Sequence, residues 1–266
     1  MRILVLGDVH ANPWGLRAVL ADAAAGGPVD AALCVGDLVD YGPDPAPCVA
    51  WAREQCTACV RGNHDHAVAQ RVPPRGGRGL RGLAAEARSA QEAALSPSDL
   101  RFLSRLPVTA RLTLGGLRFL LVHGSPRDPL DDYAPASGDG WADRLRAEVP
   151  AARPDFVLAG HTHEPYTVRV PAGPAAGARV VNPGSAGQPR GGDPRASYAL
   201  ITDGVPTLHR VAYDPAGAVA AVRARGWSAD ATETAVRLLT RGEPGPARLT
   251  PPAAAAPPAR AAAAVG

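Results

Sequence analysis

Five short motifs rich in histidine, aspartate and asparagine each follow an apolar run, and this pattern constrains the fold more than any other feature of the chain. The motifs are Asp8-Val9-His10, Gly36-Asp37-Leu38-Val39-Asp40, Gly62-Asn63-His64-Asp65-His66, Val122-His123-Gly124 and Gly160-His161-Thr162-His163. Six of the seven histidines fall within them. An apolar run that stops at a polar residue is typical of a buried strand whose end carries a functional side chain. The sequence therefore predicts that several strand ends meet at one polar site.

The first sixty residues alternate between strand-like and helix-like segments. Runs at 3–6, 31–35 and 57–60 predict strands, and segments 13–25 and 45–54 predict helices. This β-α-β-α-β order is typical of a parallel sheet with right-handed crossovers, in which ligands collect beyond the carboxyl ends of the strands. We therefore expect the first three motifs to lie side by side at one edge of a sheet.

The rest of the chain is predicted to complete a core of two sheets. Three segments have helical patterning: 83–95, 98–106 and 140–149. Seven apolar runs predict strands: 108–114, 117–122, 156–159, 166–170, 178–182, 197–202 and 207–212. The last four are expected to pair antiparallel and to finish the second sheet. The predicted fold class is α/β, a two-sheet β-sandwich core flanked by helices in four α/β/β/α layers.

Three regions are expected along the chain. Residues 1–212 form the core domain, 213–242 form an appendix of two amphipathic helices, and 243–266 form a disordered tail made almost entirely of Ala, Pro, Gly and Arg. The chain has four cysteines: Cys34, Cys48, Cys56 and Cys59. We expect them to be reduced structural thiols, because no second cysteine pair or nearby histidine completes a zinc site.

Charge and hydropathy exclude several classes of protein. The 28 basic residues are all arginines, so a lysine-based mechanism is excluded, and the net charge is only +3. The arginines are scattered rather than clustered, so nucleic acid is not the expected partner. No apolar stretch reaches the roughly 18 residues that span a membrane, and the first apolar run is too short for a signal peptide. A cytoplasmic location is therefore expected.

The residue types in the five motifs point to metal chemistry. Imidazole, carboxylate and amide oxygen form the ligand set of a borderline divalent metal. A single histidine would more often be an ordinary structural residue, but six histidines confined to predicted strand ends favour a metal site. Hydrolysis of a phosphate ester is the predicted activity.

The five motifs, in this order, resemble those of the calcineurin-like metallophosphoesterase superfamily, most closely its compact bacterial YfcE-like branch. The resemblance covers about residues 1–212. It implies a first metal held by Asp8, His10, Asp37 and His163, and a second held by Asp37, Asn63, His123 and His161. Asp37 would be the bridge between two divalent ions, with manganese expected and iron, zinc, cobalt or nickel as alternatives.

The resemblance also implies a mechanism, in which a metal-bridging hydroxide attacks phosphorus and no covalent enzyme intermediate forms. His64 is implied as the catalytic histidine that protonates the departing oxygen, and its alternative role is to orient Asn63. Asp40 is expected either to pair with His64 and raise its pKa or to cap its own loop. Asp65 is a weaker candidate for that pairing. His66 is expected at the surface, with a contact to the substrate as the alternative.

Four further side chains are candidates for binding a small phosphorylated substrate: Asn12, Arg127, Arg190 and Arg195. Guanidinium groups suit bidentate phosphate contacts, although simple solvation at the surface is equally consistent with their positions. The motifs leave monoesters and diesters equally open. Two other functions remain as alternatives: a nuclease, and a protein-binding scaffold like the retromer subunit that has this fold.

Overall fold

Ten strands and eight helices form the described part of the chain, residues 1–134, 136–146 and 153–245 of a computed structural model. The strands are β1 (Arg2–Leu6), β2 (Ala31–Cys34), β3 (Ala58–Cys59), β4 (Thr109–Leu114), β5 (Leu117–Val122), β6 (Phe156–Leu158), β7 (Pro165–Arg169), β8 (Arg179–Pro183), β9 (Ala196–Thr202) and β10 (Val205–Val211). The helices are α1 (Pro13–Ala25), α2 (Pro45–Gln55), α3 (Asn63–Ala69), α4 (Leu80–Ala94), α5 (Pro97–Arg105), α6 (Gly138–Arg144), α7 (Ala216–Ala224) and α8 (Ala229–Arg241).

The strands form two mixed sheets of five. The first has the order β10-β9-β1-β2-β3, and the second has the order β4-β5-β6-β8-β7. In the first sheet β1, β2 and β3 run parallel, and in the second β5, β6 and β8 run parallel. The remaining strands pair antiparallel along the outer parts of the sheets. The predicted two-sheet sandwich flanked by helices is confirmed.

Alternate residues of β1 face different layers of the molecule. Ile3 and Val5 are fully buried between the sheets, where they join a cluster with Phe119 and Leu158. Leu4 belongs instead to the cluster that includes residues of α1 and α2. Because successive side chains of a strand point to opposite faces, a strand covered on both sides is apolar throughout. This explains why the first apolar run shows no polar alternation.

Helices cover the outer faces of both sheets. On the first sheet, α1 and α2 pack through residues such as Leu16 and Trp51. On the second, Trp141 of α6 is fully buried against Val157 and Val180. The N-terminal ends of α1 and α5 are capped by the side chains of Asn12 and Ser96, as their sequences suggest.

Of the two C-terminal helices, α8 packs against α4 and α7 packs against α8. Leu83 of α4 forms a buried cluster with Val222 of α7 and with Leu238 and Ala235 of α8. Tyr41, in the loop after β2, lies at the edge of the same cluster. The packing of α7 and α8 therefore extends to a loop that carries site residues.

The membership of the last strands differs from the prediction. The runs at 197–202 and 207–212 were expected in the second sheet, but β9 and β10 join the first, where β9 pairs antiparallel with β1. The run at 178–182 is β8, which pairs parallel with β6 and antiparallel with β7. β9 is buried along almost its whole length, so it needs cover on both faces, and the position beside β1 provides that cover.

Several local features also differ from the prediction. α3 was not expected, because its seven residues are dominated by polar motif residues. The predicted helix at 140–149 begins earlier, at Gly138, and ends earlier, at Arg144, while residues 147–149 lie outside the described part of the chain. The predicted disordered tail also lies outside it, apart from residues 243–245.

All four cysteines are free, as expected. Within the described ranges, no helix has both the length and the apolar character to cross a membrane.

Candidate metal centre

The parallel strands of both sheets deliver their following loops to one end of the sandwich. Each of the five motifs follows one of these strands: β1, β2, β3, β5 and β6. The carboxyl ends of parallel strands meet at one sheet edge, and the two stacked sheets bring their edges together. The structure therefore collects all seven predicted metal ligands: Asp8, His10, Asp37, Asn63, His123, His161 and His163.

The first cluster consists of Asp8, His10 and His163, all of them buried. The Nε2 atoms of the two histidines lie 3.2 Å apart. Asp8 Oδ1 lies 3.2 Å from His163 Nε2 and 3.9 Å from His10 Nε2. These three atoms surround a space suited to one cation.

The second cluster consists of Asp37, His123 and His161, which are also buried. His123 Nε2 lies 3.2 Å from Asp37 Oδ2 and 3.1 Å from His161 Nδ1. The amide oxygen of Asn63 is 3.2 Å from the same His123 nitrogen, so it completes a four-residue set.

Asp37 lies between the two clusters. Its Oδ2 atom is 3.7 Å from His10 Nε2 in the first cluster and 3.2 Å from His123 Nε2 in the second. Its other oxygen accepts a hydrogen bond of 2.9 Å from the backbone N–H of His64. A carboxylate in this position can contact cations on both sides, which is the place expected for a bridging ligand.

Backbone carbonyls set the tautomers of three histidines. The Nδ1 atoms of His10, His123 and His163 lie 2.8, 2.8 and 2.6 Å from the carbonyl oxygens of Val39, Val35 and Gln188, respectively. Because a carbonyl only accepts, each Nδ1 carries the proton, and the Nε2 atoms of His10 and His163 are left with lone pairs that face the site. A histidine that ligates a metal commonly has such an outer partner. Burial acts to lower the pKa of His123, but the charge of Asp37 outweighs it and raises that pKa to about 10. The His123 ring therefore loses its Nε2 proton when a metal binds.

The donor set fits metal ions. Two neutral imidazoles whose Nε2 lone pairs face each other at 3.2 Å repel one another unless a cation lies between them. Asp8 Oδ1 has no hydrogen-bond partner although it is buried, and His161 Nε2 also has none. Burial lowers the pKa of His10 and of His163 well below the ordinary value, and it lowers the pKa of His161 to about 4. These three rings are therefore neutral and able to coordinate.

The backbone at the clusters is strained. Asp8, His10, Asp37, His161 and His163 all have φ between 45° and 68°, in the left-handed region that residues other than glycine rarely adopt. Each such residue costs about 1–3 kcal/mol and persists only where the surrounding fold holds it. Concentration of this strain at the predicted ligands is typical of a preorganised functional site.

Asp65 holds two of the motif loops together. Its Oδ2 accepts hydrogen bonds from the backbone N–H groups of Asp37 and Gly62, and its Oδ1 accepts one from that of Leu38. Both oxygens are thus used by the backbone, and Asp65 does not pair with His64. Asp65 was the weaker candidate for pairing with His64, and it instead connects the two loops through their backbone N–H groups.

Two of the motif glycines are needed for close approach rather than for an unusual backbone angle. Only Gly36, with φ of +94°, is in the left-handed region, whereas Gly62 has φ of −85°. A Cβ atom on Gly62 would overlap Asp37 Oδ1, and one on Gly160 would lie 2.8 Å from Asp8 Oδ2. Both glycines thus leave room for carboxylates that are expected to bind metal.

Gly62→Ala is expected to weaken metal binding by about 10- to 100-fold, because the new methyl group displaces the Asp37 carboxylate. The measurement is metal content by mass spectrometry after dialysis against graded free manganese. Gly76→Ala is the matched control, since a Cβ atom there meets nothing within 4 Å. Equal metal retention by both variants would contradict the close-packing argument.

His64, Asp40 and Arg88 form a buried chain of contacts beside the clusters. His64 Nδ1 lies 2.6 Å from Asp40 Oδ2, which also accepts hydrogen bonds of 3.0 and 2.5 Å from Arg88. Burial acts to lower the pKa of His64, but the charge of Asp37 and the hydrogen bond to Asp40 outweigh it and raise that pKa. The pairing that the sequence left open is present, and Arg88 is a member that sequence reasoning missed.

The three arginines predicted to contact the substrate differ in burial and in their protein partners. Arg190 is half-buried, donates to Gln188 Oε1 and lies close enough to His163 for its charge to lower that pKa. Arg195 is paired with Asp193, and Arg127 with Asp132, both arginine side chains being more than half exposed.

Asn12 is fully buried, and its amide group is already used by the protein. Its oxygen accepts from the N–H of Gly15, and its nitrogen donates to the Gly187 carbonyl and to the Tyr213 hydroxyl. Asn12 therefore supports the loop after β1, and both N–H groups of its amide are already donated within the protein.

A cleft of about 560 Å³ opens beside the second cluster. Its lining includes His64, His66, Tyr41 and Tyr133. Tyr133 is 60% exposed, and its ring lies against that of His161 with centroids 3.9 Å apart and the ring planes tilted by 39°. His66 is half-buried and accepts from Arg61 at 3.4 Å, so it lies at the cleft wall rather than free at the surface. Neither tyrosine was recognised from sequence.

The fold and the clusters together define a protein of the metallophosphoesterase α/β-sandwich class with two potential metal-binding sites. The model of the calcineurin-like phosphoesterase superfamily domain matches residues 1–203. The chain belongs to the calcineurin-like phosphoesterase superfamily, so the family expected from the motifs is confirmed.

Three proteins are similar to this chain over most of its length. A metallophosphoesterase from Sphaerobacter thermophilus is 34% identical in sequence, with a TM-score of 0.72 over 91% of this chain and 99% of that one. A hypothetical protein from Pyrococcus horikoshii has the same fold, with a TM-score of 0.74 at 19% identity over 91% of this chain and 98% of its own. An uncharacterised protein of Methanocaldococcus jannaschii is 29% identical over 76% of this chain and 82% of its own length.

Proposed function

We propose that this protein is a dimetal phosphoesterase that hydrolyses a phosphate monoester or diester of a small molecule. The observation that carries the proposal is the convergence of Asp8, His10 and His163 in one buried cluster and of Asp37, His123 and His161 in another, with the Nε2 atoms of His10 and His163 facing each other at 3.2 Å. Two divalent ions bound there would lower the pKa of a shared water and neutralise charge on the phosphoryl oxygens. Manganese is the proposed ion, because the mixed oxygen and nitrogen ligands suit it.

The protein residues have separate tasks in this reaction. Asp37 holds the two clusters at a short separation and fixes the backbone of His64 through its second oxygen. His64 donates a proton to the oxygen that leaves phosphorus, because Asp40 orients its ring and favours the protonated form. Arg190, beside His163, is the proposed contact to a phosphoryl oxygen. Arg127 and Arg195 are weaker candidates, because aspartates already pair with them.

Arg88 is proposed as a positioning residue that acts through Asp40. Arg88→Ala is expected to lower kcat by about 10- to 100-fold with little change in KM, because Asp40 loses the partner that fixes its orientation. Steady-state kinetics with a monoester measure the effect, and Arg88→Lys should restore part of kcat through one of the lost contacts. A rise in KM with an unchanged kcat would contradict the positioning role.

The test of the proposed function is activity of the chelated protein after each metal is restored in turn. Manganese, iron, zinc, cobalt and nickel are added separately, and hydrolysis of p-nitrophenyl phosphate and of bis(p-nitrophenyl) phosphate is followed. The chelated protein should be inactive, and at least one metal should restore turnover of one substrate. Inactivity with every metal, in protein shown to bind two ions, would refute the proposal.

A further inference from the structure

The cleft beside His64 is large enough for far more than a phosphate group. Its volume of about 560 Å³ is that of a site for a molecule of nucleotide size. His64 lies in its wall, so the group that takes the proton from His64 must extend into this space. The cleft is therefore positioned to receive the leaving group of the substrate.

Two arginines in the cleft wall have no anionic partner. Arg88 is committed to Asp40, but Arg75 and Arg81 are exposed and have no hydrogen bond or ion pair within the described ranges. Asp131 is the one acidic side chain among the described residues that line the cleft. An anion at Arg75 and Arg81 would therefore meet two guanidinium groups that need not give up another contact.

Apolar and aromatic side chains also line the cleft. Tyr133 lies against His161, and Val72, which is 41% exposed, lines the same cleft with Pro73 and Pro74. Two consecutive prolines restrict the backbone that leads to Arg75. These side chains suit contact with the carbon skeleton of a ligand whose charged groups bind elsewhere in the cleft.

We propose that the substrate is a phosphoester whose leaving group carries a second phosphate, and that Arg75 and Arg81 bind this second phosphate. The inference rests on the proposed function, since it names the substrate class of the same site. In the reaction, the oxygen of water bonds to the first phosphorus and the bond from that phosphorus to the leaving oxygen breaks. The leaving oxygen takes a proton from His64. The attacking water releases a proton, which restores the protonated His64, and the second phosphate is unchanged.

The experiment compares adenosine 3′,5′-bisphosphate with adenosine 5′-monophosphate, which lacks the second phosphate. The metal-loaded wild-type protein should prefer the bisphosphate by at least about 10-fold in kcat/KM. In the Arg75→Ala/Arg81→Ala variant this preference should fall to about 1, mainly through a KM for the bisphosphate that rises by roughly 30-fold. The matched control is Arg101→Ala/Arg105→Ala, which removes the same charge from the exposed side of α5.

The outcomes separate this inference from the proposed function. Hydrolysis without a preference for the bisphosphate, or a preference that survives in the Arg75→Ala/Arg81→Ala variant, overturns the inference and leaves the phosphoesterase intact. If no phosphoester is hydrolysed, calorimetric binding of adenosine 3′,5′-bisphosphate to the wild type and the double variant decides. Binding that is lost only in the Arg75→Ala/Arg81→Ala variant supports the second-phosphate site, and equal binding overturns it.

Discussion

Asp37→Asn is expected to lower phosphoesterase turnover by about 10³-fold or more, the upper range for removing a preorganised electrostatic contact from an active site. Asp37 is 1% exposed, and one of its oxygens faces both clusters. The asparagine has nearly the same shape but no negative charge, so the repulsion between two cations is no longer offset. Turnover of bis(p-nitrophenyl) phosphate and the number of bound metal ions should fall together.

The control for this substitution is Asp143→Asn, which removes the same charge from an exposed pair with Arg146. It should leave both turnover and metal content close to those of the wild type. If Asp37→Asn kept two ions and a wild-type rate, Asp37 would not bridge the clusters and the proposed site would fail.

His64→Ala is the second large effect, with an expected loss of about 10²- to 10⁴-fold, the range for general acid catalysis. The loss should depend on the leaving group, because an alkyl alcohol needs protonation far more than p-nitrophenolate does. Rates for an alkyl phosphate and for p-nitrophenyl phosphate in the same variant measure this difference. Metal content should stay at the wild-type value, since His64 contributes no ligand atom to either cluster.

The alternative role of His64, orientation of Asn63, makes the opposite prediction. If His64 only held Asn63 in place, His64→Ala would lose metal and would slow both substrates to the same extent. His209→Ala is the matched control, because His209 stacks on Tyr198 in the first sheet and lies outside both clusters. It should leave both rates unchanged.

The five motifs could be located from sequence because each lies at the end of an apolar run, and the resemblance to the metallophosphoesterase superfamily then implied which seven of their residues are ligands. Asp8 and His10 directly follow β1, for example, and the strand itself is recognisable from four consecutive apolar residues. Parallel strands then place such residues together without any knowledge of side-chain contacts. The pairing of Asp40 with His64 was one of two roles expected for Asp40, the other being a cap on its own loop.

Residues that act across the tertiary structure had no such signal. Arg88 lies 48 positions after Asp40 in a helix whose pattern reports only its buried face. Arg75 and Tyr133 sit in loops, where no periodicity distinguishes a cleft residue from a solvated one. The sheet membership of β9 was mistaken for a related reason, because an apolar run indicates burial but does not identify the neighbouring strand.

Each ligand cluster combines residues that follow strands of both sheets. In the first cluster His10 follows the first sheet and His163 the second, and in the second cluster Asp37 follows the first sheet and His123 the second. Neither half of the polypeptide can therefore hold an ion alone. Cations bound between the two sheets would raise the free energy of unfolding, and the increase would grow with their affinity for the native state. Loss of the ions and cooperative melting of the sandwich should then be one event.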